Sequence, residues 1–159
     1  MNSCAICDRL DNIASDIALV HEFENSYLLL GNHQYFKGYC VLLYKRHVRE
    51  LHELDTDMQT ALNHELMLST QAVVKAFNPW KLNHACLGNR DQHIHWHIIP
   101  RYKTEADHQY DPWKHADEFD KWKLAENQSL ELISMIRKHL PQDSANSLSS
   151  SSEHKKEIL

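Results

Sequence analysis

The 159-residue sequence has no apolar run long enough to cross a membrane. Its opening, Met1-Asn2-Ser3-Cys4-Ala5-Ile6-Cys7, carries neither the basic nor the apolar region of a secretion signal, so the expected location is the cytoplasm. Positive charge is not in excess: 17 Lys and Arg face 22 Asp and Glu, a formal net charge of −5. That excludes the global positive field that holds nucleic acid by counterion release, and no nucleic-acid or membrane partner is expected. Any phosphate-bearing ligand must be gripped locally. Only four cysteines are present. In a cytoplasmic chain, metal binding or plain burial accounts for them better than two disulfides do. There is no internal repeat. The length fits one domain, large enough to bury roughly two-thirds of its unfolded surface without covalent staples.

What the sequence has in quantity is histidine, 13 in all, the side chain that most readily changes charge near neutral pH. Residues 93–101 read His-Ile-His-Trp-His-Ile-Ile-Pro-Arg. On a strand, spacing at i, i+2 and i+4 turns His93, His95 and His97 to one face and Ile94, Trp96 and Ile98 to the other. A helix would fan the rings around its axis, and alternation with bulky β-branched residues also favours strand.

The rest of the chain supplies a frame for that strand. Residues 8–16 read as a short helix or turn, and residues 17–23 and 27–30 as two strands joined by Glu24-Asn25-Ser26. Residues 39–44 are apolar on both faces, as a central strand would be. Thr56 and Gln59 form a capping box. Behind it Met58, Leu62, Leu66, Ser69, Val73 and Phe77 mark the buried face of a helix ending before Pro79, with His64 exposed. Such a helix of roughly 22 residues spans about 33 Å, enough to brace a sheet. Residues 81–87 predict a fourth strand, and residues 88–92 a turn into the histidine strand. Asn127 is the expected cap of a last helix whose apolar face holds Leu132, Ile133, Ile136 and Leu140. Cys40 and Cys86 are expected in the core, and Trp113 either there or stacked on an aromatic ring of a ligand. Residues 142–159 are Ser-rich and charged, a composition that predicts a disordered tail beyond a domain of residues 1–141.

Three chemical readings of the histidine strand compete. His93, His95 and His97 together can form an open three-histidine zinc site for metal-dependent hydrolysis. Alternatively, one of them is a nucleophile toward phosphorus. In the third reading they are divided: Cys4-x-x-Cys7 supplies half of a closed four-ligand zinc site, and His47 (or His52) with His93 completes it, leaving His95 and His97 for catalysis. The loop Gly88-Asn89-Arg90-Asp91 offers backbone N–H groups and a guanidinium to a phosphate.

The stretch His93-Ile-His95-Trp-His97-Ile-Ile resembles the histidine triad pattern, in which histidines alternate with apolar residues, that names the HIT superfamily of nucleotide hydrolases and transferases. The resemblance extends to Cys4-x-x-Cys7, Lys37-Gly38-Tyr39-Cys40-Val41, Lys45-Arg46-His47-Val48 and the capped long helix. It covers about residues 4 to 101, and lies nearest the bacterial zinc-containing proteins described as diadenosine tetraphosphate hydrolase-like. It implies an α+β HIT-like fold, an antiparallel sheet of about five strands backed by a long helix and assembled as a homodimer. It also implies cleavage at the α-phosphate of a dinucleoside polyphosphate, or a related nucleotide such as a nucleoside phosphoramidate. His95 would be the nucleophile, His97 the phosphate contact near the leaving group, and Cys4, Cys7, His47 and His93 the ligands of a structural zinc. Asn89 stands where the family commonly has a phosphate-contacting Gln, and Asn83 lies near an Asn that orients the site. This chain departs from the pattern where an acidic residue usually bonds ribose, having Leu30-Gly31-Asn32-His33; Asn32 is the substitute. Arg90 is a second departure, serving polyphosphate or facing solvent. Nucleotidyl transfer, or nucleotide binding with weak turnover, remains the alternative.

Overall fold

Short runs of Leu, Val, Ile and aromatic residues, interrupted by polar turns, become five strands. They are β1 (Leu19–Glu22), β2 (Ser26–Leu30), β3 (Cys40–Tyr44), β4 (Lys81–Ala85) and β5 (His95–Arg101). In the computed structural model, which describes residues 4–105 and 107–141, they pair antiparallel in the order β1-β2-β3-β5-β4. β3 occupies the middle, as its two-sided apolar sequence predicts. Among the described residues three α-helices accompany the sheet: α1 (Ala5–Leu10), α2 (Thr56–Phe77) and α3 (Glu126–Arg137). The architecture is the α+β arrangement expected from the sequence, with the long helix behind the sheet.

The sheet divides the molecule into a core side and a cleft side. On the core side Leu28, Leu42 and Ile98 pack against Leu66 and Val73 of α2 and Ile133 of α3. Ile94 and Trp96 join that side through a second cluster with Tyr44, Leu54 and Leu62. On the other side Ile6 of α1 packs on Leu29 and Leu43. Register then decides the site: Val41 pairs with His97 and Leu43 with His95, so the two histidines share the face of α1.

Several local expectations give way to better partners. Asp55, not Thr56, caps α2 by accepting from Met58 N at 2.8 Å; Gln59 instead donates to the Leu54 carbonyl at 2.8 Å. The helix ends where predicted, through Asn78 in the left-handed conformation ahead of Pro79. The first helix occupies Ala5–Leu10, with a 3-10 turn at Ile13–Ser15. Ser26 begins β2 instead of closing the hairpin, because its side chain has an acceptor inside the protein. Asn127 lies within α3; the Ala125 N–H at that helix start is satisfied by Gln128 Oε1 at 3.0 Å. Leu132, Ile133, Ile136 and Leu140 are buried as expected. Cys40 is buried, but Cys86 is exposed, since β4 stops at Ala85 and the chain leaves the core there. The tail at 142–159 lies outside the described residues.

The acceptor for Ser26 is Glu65, a buried carboxylate on α2. It takes hydrogen bonds from Asn25 N at 2.9 Å, Asn25 Nδ2 at 3.0 Å and Ser26 Oγ at 2.5 Å, pinning the β1–β2 turn to the helix. Glu65→Ala leaves three donors without their acceptor and is expected to lower unfolding free energy by about 3 kcal/mol. Glu65→Gln, which keeps one acceptor oxygen, should lose less. Urea denaturation measures both, and an unchanged midpoint in Glu65→Ala would refute the assignment.

Candidate active site

Of the three triad histidines, His93 precedes β5 and is fully buried. Its Nε2 lies 2.8 Å from the Tyr44 carbonyl, which can only accept, so Nε2 carries the proton and Nδ1 keeps its lone pair. That Nδ1 faces Cys4 Sγ and Cys7 Sγ, each at 3.6 Å, and Cys7 Sγ is also 3.3 Å from His47 Nδ1. Cys4 and Cys7 come to one side because they are three residues apart at the start of α1. His47 arrives from the loop after β3.

The ligand atoms of Cys4, Cys7, His47 and His93 all lie within 4.8 Å of one another. A tetrahedral zinc with Zn–S near 2.3 Å and Zn–N near 2.0 Å holds sulfur and nitrogen about 3.5 Å apart. The spacing observed therefore fits that ion. Desolvation, followed by the hydrogen bond and charge of Cys4, pushes the Cys7 thiol up to about 11, so the thiolate form that ligates a metal would need a bound cation to hold it. His52 is not part of the group. Nor do His93, His95 and His97 form such a group among the described residues, which counts against a shared three-histidine metal.

His95 and His97 open instead onto a cleft of about 810 Å³ on the α1 side of the sheet. His95 is buried, with Nδ1 2.6 Å from the His93 carbonyl. Nδ1 must be the donor, which in the neutral ring leaves the lone pair on Nε2. His97 Nδ1 is 2.6 Å from Tyr39 Oη. Burial, then the neighbouring His95 and His33, lower the His97 pKa to about 4, so that ring is neutral at physiological pH. Asn32, Asn89 and Arg90 line the same cleft. Asn83 is not among the lining residues; on β4 it accepts from Arg101 Nη1 at 3.0 Å.

The sequence model of the HIT domain matches residues 13–104, more than half of the chain. The chain belongs to the HIT family. Cys4 and Cys7 lie ahead of the matched span. Protein hit of Bacillus subtilis is 32% identical over 117 residues, 67% of this chain and 79% of the relative. Among solved folds, a histidine triad protein of Sinorhizobium meliloti superposes with a TM-score of 0.69 at 22% identity, covering 82% of this chain and 94% of that one. A zinc-bound histidine triad family protein of Mycobacterium smegmatis gives 0.61 at 17% identity, covering 86% and 94%. Plasmodium falciparum diadenosine triphosphate hydrolase, in complex with cyclomarin A, gives 0.59 at 17%, covering 78% and 76%.

This HIT cleft has walls that sequence reasoning did not supply. Trp113 is not a core residue: 37% exposed, it sets its ring edge-on to His97, centroids 5.5 Å apart. Phe119 comes from the same 3-10 segment, Pro112–Trp122, and stacks on His33 at 4.0 Å. His33 in turn stacks on Tyr39 at 4.7 Å. Nothing in local periodicity marks this post-triad segment. Tyr39 was legible in principle, because it precedes β3 in step with Val41 and Leu43.

His33 is 8% exposed, its Nδ1 has no hydrogen-bond partner, and burial lowers its pKa to about 4 despite Asp120 nearby. A histidine depressed in the folded state binds its proton more readily when unfolded. Stability is therefore complete above the unfolded value of about 6.5 and falls as pH drops toward 4. His33→Phe keeps the ring stack and removes the unpaired nitrogen. The expected result is stability at pH 7 equal to or above wild type, and a shallower loss of unfolding free energy between pH 6.5 and 4.5. Parallel denaturation slopes for the two proteins across that range would contradict this.

Proposed function

We propose that this HIT protein is a nucleotide hydrolase cleaving at the α-phosphate of a dinucleoside polyphosphate or related nucleotide through a covalent nucleotidyl-His95 intermediate. The observation that carries the reading is the 2.6 Å hydrogen bond from His95 Nδ1 to the His93 carbonyl, which leaves a nucleophilic Nε2 in a cleft. The Nε2 lone pair forms the bond to phosphorus. The bond to the bridging oxygen breaks, and that oxygen leaves with its electron pair. Water then attacks phosphorus, and the P–Nε2 bond breaks with its pair returning to His95. His97 contacts phosphate near the leaving group, Asn89 and Arg90 hold the polyphosphate, Asn32 bonds ribose, and Asn83 acts through Arg101. The name of the Plasmodium falciparum relative supports a hydrolase of this kind. Transfer to an acceptor other than water would use the same intermediate.

The expected state is a cytoplasmic homodimer; no described helix is long and apolar enough to cross a membrane. The dimer reading draws support from the outer edge of β4, which pairs with no strand among the described residues; its His84 lies 2.9 Å from Thr70 of α2, a helix on which Met67 and Val74 are exposed.

Incubation with diadenosine tetraphosphate should release AMP, with protein quenched in alkali, where a P–N bond survives, carrying an AMP adduct on His95. His95→Ala should cut turnover on the order of 10³-fold or more. Product release unaffected by that change would reject the mechanism.

The zinc in this reading is structural, supplying a cross-link between α1 and the sheet. About one zinc per chain is expected by elemental analysis. Cys7→Ser should lose the metal and lower the melting temperature, as should a strong chelator added to wild type. Metal-free protein of unchanged melting temperature would dismiss the site.

A further inference from the structure

We propose that Tyr39 is a positioning residue for His97: its hydroxyl donates to His97 Nδ1 and holds the imidazole in the tautomer whose Nε2–H faces the cleft. The inference rests on the nucleotide-hydrolase reading for the phosphate that favours this direction and that the N–H then contacts. The contact itself is short, 2.6 Å, between rings whose planes are nearly parallel, 14° apart. A phenol and a neutral imidazole can share such a bond in either direction. Three observations give it one direction.

First, burial of Tyr39 raises its pKa, so the oxygen keeps its proton. Second, burial holds the His97 ring neutral, leaving it a single N–H to place. Third, the opposite nitrogen, Nε2, looks into a cleft proposed to hold ionised phosphate, which only accepts hydrogen bonds. A proton on Nε2 meets that acceptor; a lone pair there would repel it. The neutral N–H stabilises charge on a leaving phosphate without surrendering its proton, and a polyphosphate leaving group departs as an anion that needs none.

The molecule also fixes the phenol where the bond needs it. The Tyr39 carbonyl accepts from Gly31 N at 2.8 Å and Gln34 Nε2 at 3.0 Å, locking the backbone. The ring lies over Gly31, where any Cβ would overlap it, and His33 stacks on it. Gly31 therefore stands at the end of β2 because the phenol fills the space of a side chain there. That same exchange removes any longer residue from this position near the proposed ribose site.

The test is the ¹⁵N spectrum of the full-length protein labelled in histidine, at neutral pH and without nucleotide. The expected His97 signals are an unprotonated, hydrogen-bonded Nδ1 and a protonated Nε2; the reverse pattern overturns the proposal, and this measurement needs no variant. Tyr39→Phe should then release the tautomer preference and lower kcat about tenfold with KM within about twofold. A folded Tyr39→Phe protein with the wild-type tautomer and kcat would also overturn it. A wild type that hydrolyses no dinucleoside polyphosphate yet shows the Nε2–H tautomer would reject the proposed substrate while supporting the role of Tyr39.

Discussion

The hydrogen bond from His93 Nε2 to the Tyr44 carbonyl is the contact on which the site depends. It spans the end of β3 and the approach to β5, where Tyr44 N also bonds the Ile94 carbonyl. Because the carbonyl accepts a hydrogen bond from Nε2–H, Nδ1 keeps its lone pair and faces the two cysteine sulfurs. The backbone carbonyl of the same residue accepts from His95 Nδ1 and so sets the tautomer of the proposed nucleophile. One residue thus joins the Cys4–Cys7 helix, the sheet and the ring of the proposed nucleophile. A displacement of His93 would be felt by His95 directly, although the two imidazoles do different work.

A second anchor builds the far wall of the cleft. Arg101, at the end of β5, is 3% exposed and spends its guanidinium inward. It donates to Glu105 Oε2 at 2.9 Å, to the Tyr110 carbonyl at 2.8 Å and to Asn83 Oδ1, with its cation over the Phe36 ring. Burying this charge is tolerable because a carboxylate and carbonyls compensate it. The result is a folded-back segment after the triad, which delivers Trp113 and Phe119 to the cleft. Asn83 therefore contributes through the shape of the wall, at one remove from any ligand.

Periodicity carried the sheet, the long helix and the division of the triad between faces, because these follow from side-chain direction along single elements. Ligand counting also paired His47 and His93 with the two cysteines before any geometry was available, and the four come together in space. Ends of elements were less legible: Asp55 displaces Thr56 as a cap, and Ser26 joins a strand, since tertiary acceptors decide such contests. Trp113 and Cys86 were misplaced for a related reason. Both lie where the chain leaves the sheet, and apolar character alone does not say which side of an exit is wet. His33 and Phe119 lay beyond local reading altogether, because their meaning comes from a ring stack assembled by two segments some 86 residues apart.

The arrangement of charge in the cleft follows from what each group must do. A chain of net charge −5 binds a polyanion only through local attraction. Cationic imidazoles at the floor would attract phosphate equally in the ground state and the transition state, and such uniform binding does not speed the chemical step. A proton on Nε2 of His95 would also remove the lone pair of the proposed nucleophile. Burial of His97 and His33 keeps those rings neutral. Positive charge is left to the rim, where Arg90 is exposed in the loop preceding the triad, while Arg9 on the same cleft is held 2.6 Å from Asp16. In the proposed function, attraction at the mouth and neutral, oriented imidazoles at the floor divide binding from chemistry within one cleft.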